Sequence, residues 1–454
     1  MKILLIQPPK PPLSIGGEEL HFFEPLSLEY VGAGVIDDHD VRIHDMRIDE
    51  DLPGVLKNFK PQMVGLTALT VHVNVVKELL KEIKVQLPHV TTVVGGHHAT
   101  VAPMDFQCPQ VDLIVSGEAV FTFKELVRRI EAQESLADLA GVAYRDENGV
   151  FQSTPHDVFV ALDSLPMPAR ELTAQHRGKY FSQWMKPMAA VVTSKGCPFR
   201  CNYCVIWKLT GGKRQTREPK KIVAELLTLE EEWIFFADYE SLVDVDRMYE
   251  LARLIKEAGI KKRYTLYSRA DTIVDHPKLI EAWREIGLNM VIVGFEFFRD
   301  EDLAQVNKGS TIAQNEQAIK VLNGFGINIA PYFMVRQEFD REDFAQLRAY
   351  LKRLALPFAS IFILTPLPGT DLYEERKDEF ISDKYDFFDF FHTILPTKLP
   401  LKDFYEEVYQ TWKAPTSFFN ALKLASNFRL RDLPAATMRV KRSLEKVRKA
   451  HLDH

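Results

Sequence analysis

The sequence predicts an α/β protein in three parts. They are a doubly wound, Rossmann-like N-terminal sheet, a partial (β/α)6 barrel, and a helical C-terminal segment. Three observations predict this. Short runs of Val, Ile and Leu alternate with helical patterns twice, within residues 1–150 and again within 186–375. At 454 residues the chain exceeds what one core usually supports. Beyond residue 375 the alternation stops, and aromatic and basic residues take over.

Composition narrows the class. Apolar content of 46% and charged content of 26% are ordinary for a soluble globular protein. No apolar run approaches the roughly 20 residues of a membrane span. Met1–Pro9 is too short for a secretory signal and reads as a first strand. A net charge of −6 argues against general nucleic-acid affinity. Of the four cysteines, Cys108 lacks an obvious partner, so no disulfide framework and a reduced, cytoplasmic setting are expected. From Lys413 onward ten basic residues stand against three acids. Such a tail is either a solvated helix face or a surface that touches anionic membranes.

In residues 1–150, strands are expected at 2–6, 41–43, 63–66, 91–94 and 113–116. Helices are expected at about 26–36, 73–86 and 121–131. Parallel sheets of this kind bind ligands at the carboxyl ends of their strands. There the chain places Gly65–Thr70, Gly95–Thr100 and Ser116–Phe121. Thr67, Thr70, Gly95, Gly96, His97, Gly117 and Glu118 are the candidate ligand contacts. Glycine lets the backbone approach a large flat ligand, and threonine adds hydrogen-bonding groups. Any one of these loops alone is ordinary turn chemistry.

Residues 151–185 read as a linker, punctuated by prolines over 162–170. Barrel strands follow at 188–194, 232–237, 263–268, 290–295, 327–335 and 359–364, with helices at 219–230, 243–258, 276–286, 312–323 and 341–354. Directly after the first of these strands stands Gly196-Cys197-Pro198-Phe199-Arg200-Cys201-Asn202-Tyr203-Cys204. Cys197, Cys201 and Cys204 have C-x3-C-x2-C spacing. A four-iron cube wants four thiolates, so three leave one iron open to a small molecule. Structural zinc usually closes all four positions.

With this motif the chain resembles the radical S-adenosylmethionine (SAM) superfamily. With the Gly95-Gly96-His97-His98-Ala99-Thr100 and Gly117-Glu118-Ala119-Val120-Phe121 loops ahead of it, the chain resembles that superfamily's cobalamin-dependent class B. His392-Thr393-Ile394-Leu395-Pro396-Thr397-Lys398-Leu399-Pro400 resembles the hopanoid C-3 methylase group within it. The resemblance implies a [4Fe–4S] cluster, SAM and cobalamin as cofactors. It implies SAM contacts from Tyr203, Asp238, Glu240, Arg269 and Glu296, and cobalamin contacts from the loop residues named above. Strand five departs from the family, reading Tyr332-Phe333-Met334-Val335-Arg336-Gln337 where relatives often end in glycine.

The Asp-x-His-x-x-Gly loop of cobalamin mutases is missing from this chain. The resemblance therefore implies a displaced benzimidazole tail, with His21, His72, His97 or His98 as lower-face neighbours of cobalt or simply polar loop residues. The activity implied is methyl transfer from cobalamin to an unactivated carbon of an apolar or polycyclic substrate, such as a hopanoid. The alternative is an oxidoreductase or cyclase of the anaerobic porphyrin ring-closure type. A binding protein with an inert cluster is a third class. No side chain is nominated as catalytic acid or base, and an external electron donor is required. The aromatic segment 376–454 is expected to glue a cap onto the barrel, with a minority of its rings facing substrate.

Overall fold

The computed structural model describes residues 1–16, 21–146, 148–155, 160–356, 358–415 and 432–454. The first sheet contains β1 (Lys2–Gln7), β2 (Asp40–Asp45), β3 (Met63–Thr67), β4 (Thr91–Gly95) and β5 (Leu113–Val115), parallel and in the order β2-β1-β3-β4-β5. An antiparallel hairpin, β6 (Val142–Arg145) and β7 (Phe151–Ser153), extends it beyond β5. The strand order reverses between β1 and β3, which opens a crevice at their carboxyl ends. Ile3, Leu4, Leu5 and Ile6 are all buried, as parallel strands covered on both faces require. Helices Leu26–Ala33 and Ala119–Ala132 pack on one face, and Leu52–Phe59 and Val73–Gln86 on the other.

Two features differ from the sequence expectation. Helix Leu52–Phe59 stands where none was expected. It holds Pro53 and Gly54, and its start is fixed by the Asp51 carboxylate accepting from Gly54 N at 2.9 Å. The first sheet also runs past residue 150, because β7 pairs with β6 from Arg145 opposite Phe151 to Ala143 opposite Ser153.

The second sheet holds β8 (Met188–Val191), β9 (Trp233–Phe236), β10 (Arg263–Ser268), β11 (Leu288–Glu296), β12 (Asn328–Val335) and β13 (Ser360–Ile363). They are parallel and ordered as in the chain, an open six-stranded barrel. Its outer face packs against helices such as Val245–Glu257 and Arg341–Arg353 in one large core. Its lumen is plugged by Met185, Met188, Trp233, Met290 and Ala330.

Residues 151–185 are not a plain linker. Arg170 reaches Glu24 at 2.7 Å and Glu225 at 2.6 Å, and Arg177 pairs with Glu24 and Glu231. The Arg170 and Arg177 segment is thereby bonded to the chain just ahead of the first helix and to barrel helix Pro219–Thr228. Periodicity is blind to such pairs, since the partners lie far apart in sequence. Glu29 lies in the same cluster, and burial lifts its carboxyl to about 7.

The C-terminal segment follows the glue expectation in part. Phe404 and Tyr405 of helix Leu401–Lys413 are fully buried, with Phe404 edge-on to Phe344 at 5.7 Å. Tyr385 donates to Asp105 at 2.6 Å, which ties the cap to the first sheet's domain. His392 is clamped between Asp389 at 2.9 Å and Asp453 at 3.1 Å and stacks on Phe387. Burial pulls the His392 ring down, but the two carboxylates hold it above its usual value. Lys423, Arg429, Arg431, Phe418 and Phe419 lie outside the described residues. Among the described residues no helix is long and apolar enough to cross a membrane.

Candidate functional site: a slot and a chamber beside three cysteines

Two cavities meet where the sheets face each other. The first, about 340 Å³, is a slot at the carboxyl ends of β3, β4 and β5. Thr67, Gly95, Gly96, His97, Gly117 and Glu118 all line it, while Leu5, Val93 and Phe123 supply apolar surface deeper down. Gly96 has φ +102°, and a Cβ there would lie 2.7 Å from Thr67 Oγ1 and 2.8 Å from the Ala68 backbone. Only glycine lets these two loops close on each other. Thr70 is placed elsewhere: its turn after β3 aims it at the second cavity, where its hydroxyl meets His98 at 3.2 Å.

Glu118 has a second task that sequence reasoning missed. It pairs with Lys195, which follows β8 and lies just ahead of the cysteines. His97 opens the short helix after β4 and borders both cavities. Burial and the Lys195 charge hold it down at about 4, so it is neutral at pH 7. Burial alone does the same to His21, and burial with Arg47 to His72. All four histidines named above line the second cavity.

The cysteine loop springs from β8. Its two ends are pinned by an antiparallel pairing of Ser194–Lys195 with Gln215–Thr216. Gly196 takes φ +85°, and a Cβ there would land on the Lys213 carbonyl oxygen. Cys201 is buried, and its carbonyl accepts from Trp207 Nε1 at 3.1 Å. Burial pushes the Cys204 thiol up to about 12 and also raises Cys197, and the neighbouring thiols add to both shifts. Such thiols ionise readily only against positive charge. Arg269 and Lys308 border them and pull in that direction. Three soft donors with flanking cations fit an anionic iron–sulfur cube.

Three of the barrel strand-end residues expected at SAM are engaged with neighbouring turns. Asp238 accepts from Thr193 N at 2.7 Å, from Ser194 N at 2.8 Å and from the Thr193 hydroxyl. Glu240 accepts from Arg269 N at 2.6 Å and Ser268 Oγ at 3.1 Å. Burial lifts Glu240 to about 7 and raises Asp238 as well. Arg269 gives its fork to Asp271 at 2.7 Å and to the Lys308 carbonyl at 2.6 Å, and stacks on Phe199 at 3.7 Å. None of the three lines either cavity. Buried turns at strand ends need acceptors for their amides and donors for their carbonyls; Asp238 and Glu240 supply the first and Arg269 the second.

Glu296 sits where the β11–β12 register shifts, at φ +64°, and takes Lys308 at 2.7 Å. A Cβ on Gly294 would collide with this pair. Tyr203 lies beside Glu296, whose charge opposes ionisation of its phenol, and lines the second cavity next to Cys204. Lys308, only 7% exposed, was missed as a site residue. Its signal was a lysine buried within the turn Asn307-Lys308-Gly309. Arg336, at the end of the atypical fifth strand, pairs with Asp302 at 3.3 Å.

The second cavity, about 780 Å³, is a chamber over the barrel mouth. Tyr203 and Cys204 form one wall, Leu69–His72 and His97 another. Tyr267, Ile292, Tyr332 and Phe362 form the floor, and Phe390, Phe391 and Trp412 the roof. Val440, Leu444 and Val447 of helix Leu433–Lys449 close the side.

Comparison with known proteins matches this layout. A B12-binding domain model matches residues 15–127, and a radical SAM superfamily model matches residues 191–351. The chain is 30% identical to an uncharacterized methyltransferase of Pyrococcus horikoshii, over 82% of this chain and 83% of that one. It is 27% identical to the hopanoid C-3 methylase of Methylococcus capsulatus, over 86% and 75%. The solved structure of OxsB, a cobalamin-dependent SAM radical enzyme with aqua-cobalamin and SAM bound, overlays with a TM-score of 0.73 at 16% identity, covering 99% of this chain and 72% of that one.

Proposed function

The chain belongs to the cobalamin-dependent radical SAM methyltransferases, and on that premise we propose that it methylates a carbon of an apolar, polycyclic substrate held in the barrel-mouth chamber. A [4Fe–4S] cluster, SAM and cobalamin are the cofactors of this family. When bound, the cluster and SAM supply a hydrogen-abstracting radical, and cobalamin supplies the methyl group. The chain's own part is holding, orienting and excluding water.

Cys197, Cys201 and Cys204 hold the cluster. Tyr203, braced by the Glu296–Lys308 pair, flanks SAM. Asp238, Glu240 and Arg269 act one layer back, shaping the turns that carry these groups. The glycine-walled slot would hold cobalamin, with Leu5, Val93 and Phe123 as its apolar lining. Thr67, Gly95, Gly96, His97, Gly117 and Glu118 bound its face, and Thr70 contributes from the chamber side. His97, neutral at pH 7, adds no charge of its own to the slot, where Glu118 and Lys195 pair. No side chain is required as acid or base, and electrons come from an external donor.

The observation that carries this reading is the chamber. One apolar space touches the cysteine loop, the loops after β3 and β4, and an aromatic floor. A carbon–hydrogen bond there has the radical source on one side and the methyl source on another, which is the proximity that such a transfer needs. The hopanoid methylase relative supports a hopanoid-like substrate. Helix Leu433–Lys449 carries six basic residues and one acid, which supports contact of this cap with an anionic membrane. Anaerobic incubation with methyl-labelled SAM and lipid extract is the test. A lipid product heavier by one labelled methyl is expected. SAM consumption with an oxidised or cyclised product and no label would overturn the reading.

A further inference from the structure

The chamber floor is not uniformly apolar. Tyr332 and Ser360 are register partners on β12 and β13, so their side chains stand together on the lumen face. Tyr267 on β10 faces them, with its ring 6.4 Å from that of Tyr332. The two phenols are polar neighbours of each other. Everything around them is apolar: Phe235 lies edge-on to Tyr267 at 5.7 Å, Phe362 edge-on to Tyr332 at 5.0 Å, and Ile292 lies between. Met185, Met290 and Ala330 plug the lumen as part of the same cluster. Among the described residues neither phenol, nor the Ser360 hydroxyl, has another hydrogen-bond partner.

Even a mutual bond between the two phenols would satisfy one proton only. Whichever hydroxyl accepts retains its own O–H, and that donor needs an acceptor when the chamber fills with an apolar ligand. A pure hydrocarbon would strand it. We propose that Tyr267, Tyr332 and Ser360 form a polar cup that seats an oxygen-bearing end of the substrate, so that the ligand is an apolar body carrying a hydroxyl or carbonyl oxygen, inserted oxygen first. This inference rests on the reading of the chamber as the substrate site. It adds an orientation: the oxygen sits on the floor, and the reacting carbon lies farther up, beside Tyr203 and Cys204.

The test compares binding, not turnover. A pentacyclic triterpene alcohol and the hydrocarbon of the same skeleton are titrated into the cofactor-loaded protein, with tryptophan fluorescence as the readout. The wild type is expected to prefer the alcohol by about tenfold, the usual effect of satisfying one buried donor. Tyr267→Phe and Tyr332→Phe keep ring volume and are expected to erase that preference while hydrocarbon affinity holds or rises. Ser360→Ala is expected to weaken it by a smaller factor, and unchanged thermal melting certifies each fold. Equal binding of both probes by the wild type, binding of neither, or a preference that survives both phenylalanine variants would overturn the inference. Methyl transfer is measured separately with labelled SAM. Its failure with an intact alcohol preference would sink the enzymatic reading and leave the polar cup standing.

Discussion

The slot and the chamber are built by different means. One wall of the slot is bare backbone, at Gly95, Gly96 and Gly117 by the ends of β4 and β5, and side chains from Leu5 to Tyr239 complete its lining. The chamber draws on residues from Gln7 to Val447, and its shape is set by side chains meeting from distant parts of the chain. A wall made of backbone is stiff and leaves a local mark in the sequence. A cavity made of converging side chains is adaptable and leaves none. The first suits an invariant cofactor, the second a substrate that differs among relatives.

Substitutions sharpen that contrast. The largest effect is expected at the cysteines. Cys197→Ala, Cys201→Ala or Cys204→Ala removes a cluster ligand outright, and each is expected to abolish visible iron–sulfur absorbance and SAM cleavage after anaerobic reconstitution. Cys108→Ala, whose thiol packs against the first domain's core, is expected to retain both. Full cluster loading in any of the three variants would refute the assignment.

The next effect falls on the slot. Gly96→Ala forces a side chain into a left-handed backbone and into the Thr67–Ala68 turn, at a cost of roughly 1–3 kcal/mol. Cobalamin retention through gel filtration is expected to drop at least tenfold. Gly149, at φ +76° with open space around it, is the control. Gly149→Ala bears similar strain without the collision, and cobalamin retention is expected to be normal. If both variants lose cobalamin alike, the slot's stiffness is not what binds it.

The smallest effect lies in the buried ion cluster between the parts. Burial lifts the Glu29 carboxyl from 4.5 to about 7. The folded state therefore holds this proton more tightly than the unfolded chain does. The resulting stability is present at low pH and is lost as pH rises from about 4.5 to 7, by roughly 3 kcal/mol at most. Melting temperature is expected to fall across that window, and Glu29→Gln is expected to flatten the fall. An unchanged pH profile in the variant would place the dependence elsewhere.

The barrel strand ends show where motif reading stops. Asp238, Glu240 and Arg269 stand at the positions that the family resemblance singles out, and the motif around each is present. Yet each spends its polar atoms on neighbouring turns, and Lys308, whose Asn307-Lys308-Gly309 loop is a family mark but which was not expected as a site residue, holds Glu296 beside Tyr203. A sequence records that a charged residue follows a strand. It does not record which amides and carbonyls are left without partners there, and those groups decide what the charge does.

Local order, by itself, determined the parallel strands of both sheets and most of their longer helices, the open thiol trio and the glycine loops, because periodicity, short spacings and backbone conformation act over a few residues. The helix Leu52–Phe59 escaped because it is one short amphipathic stretch opened by a proline and a glycine. Tertiary structure alone decided the Glu24–Arg170–Glu225 clamp, the Glu118–Lys195 pair, the phenols on the chamber floor and the closing of its side by helix Leu433–Lys449. These depend on which side chains become neighbours once water is excluded. Distance in space, not in sequence, sets the strength of a contact between charges or polar groups.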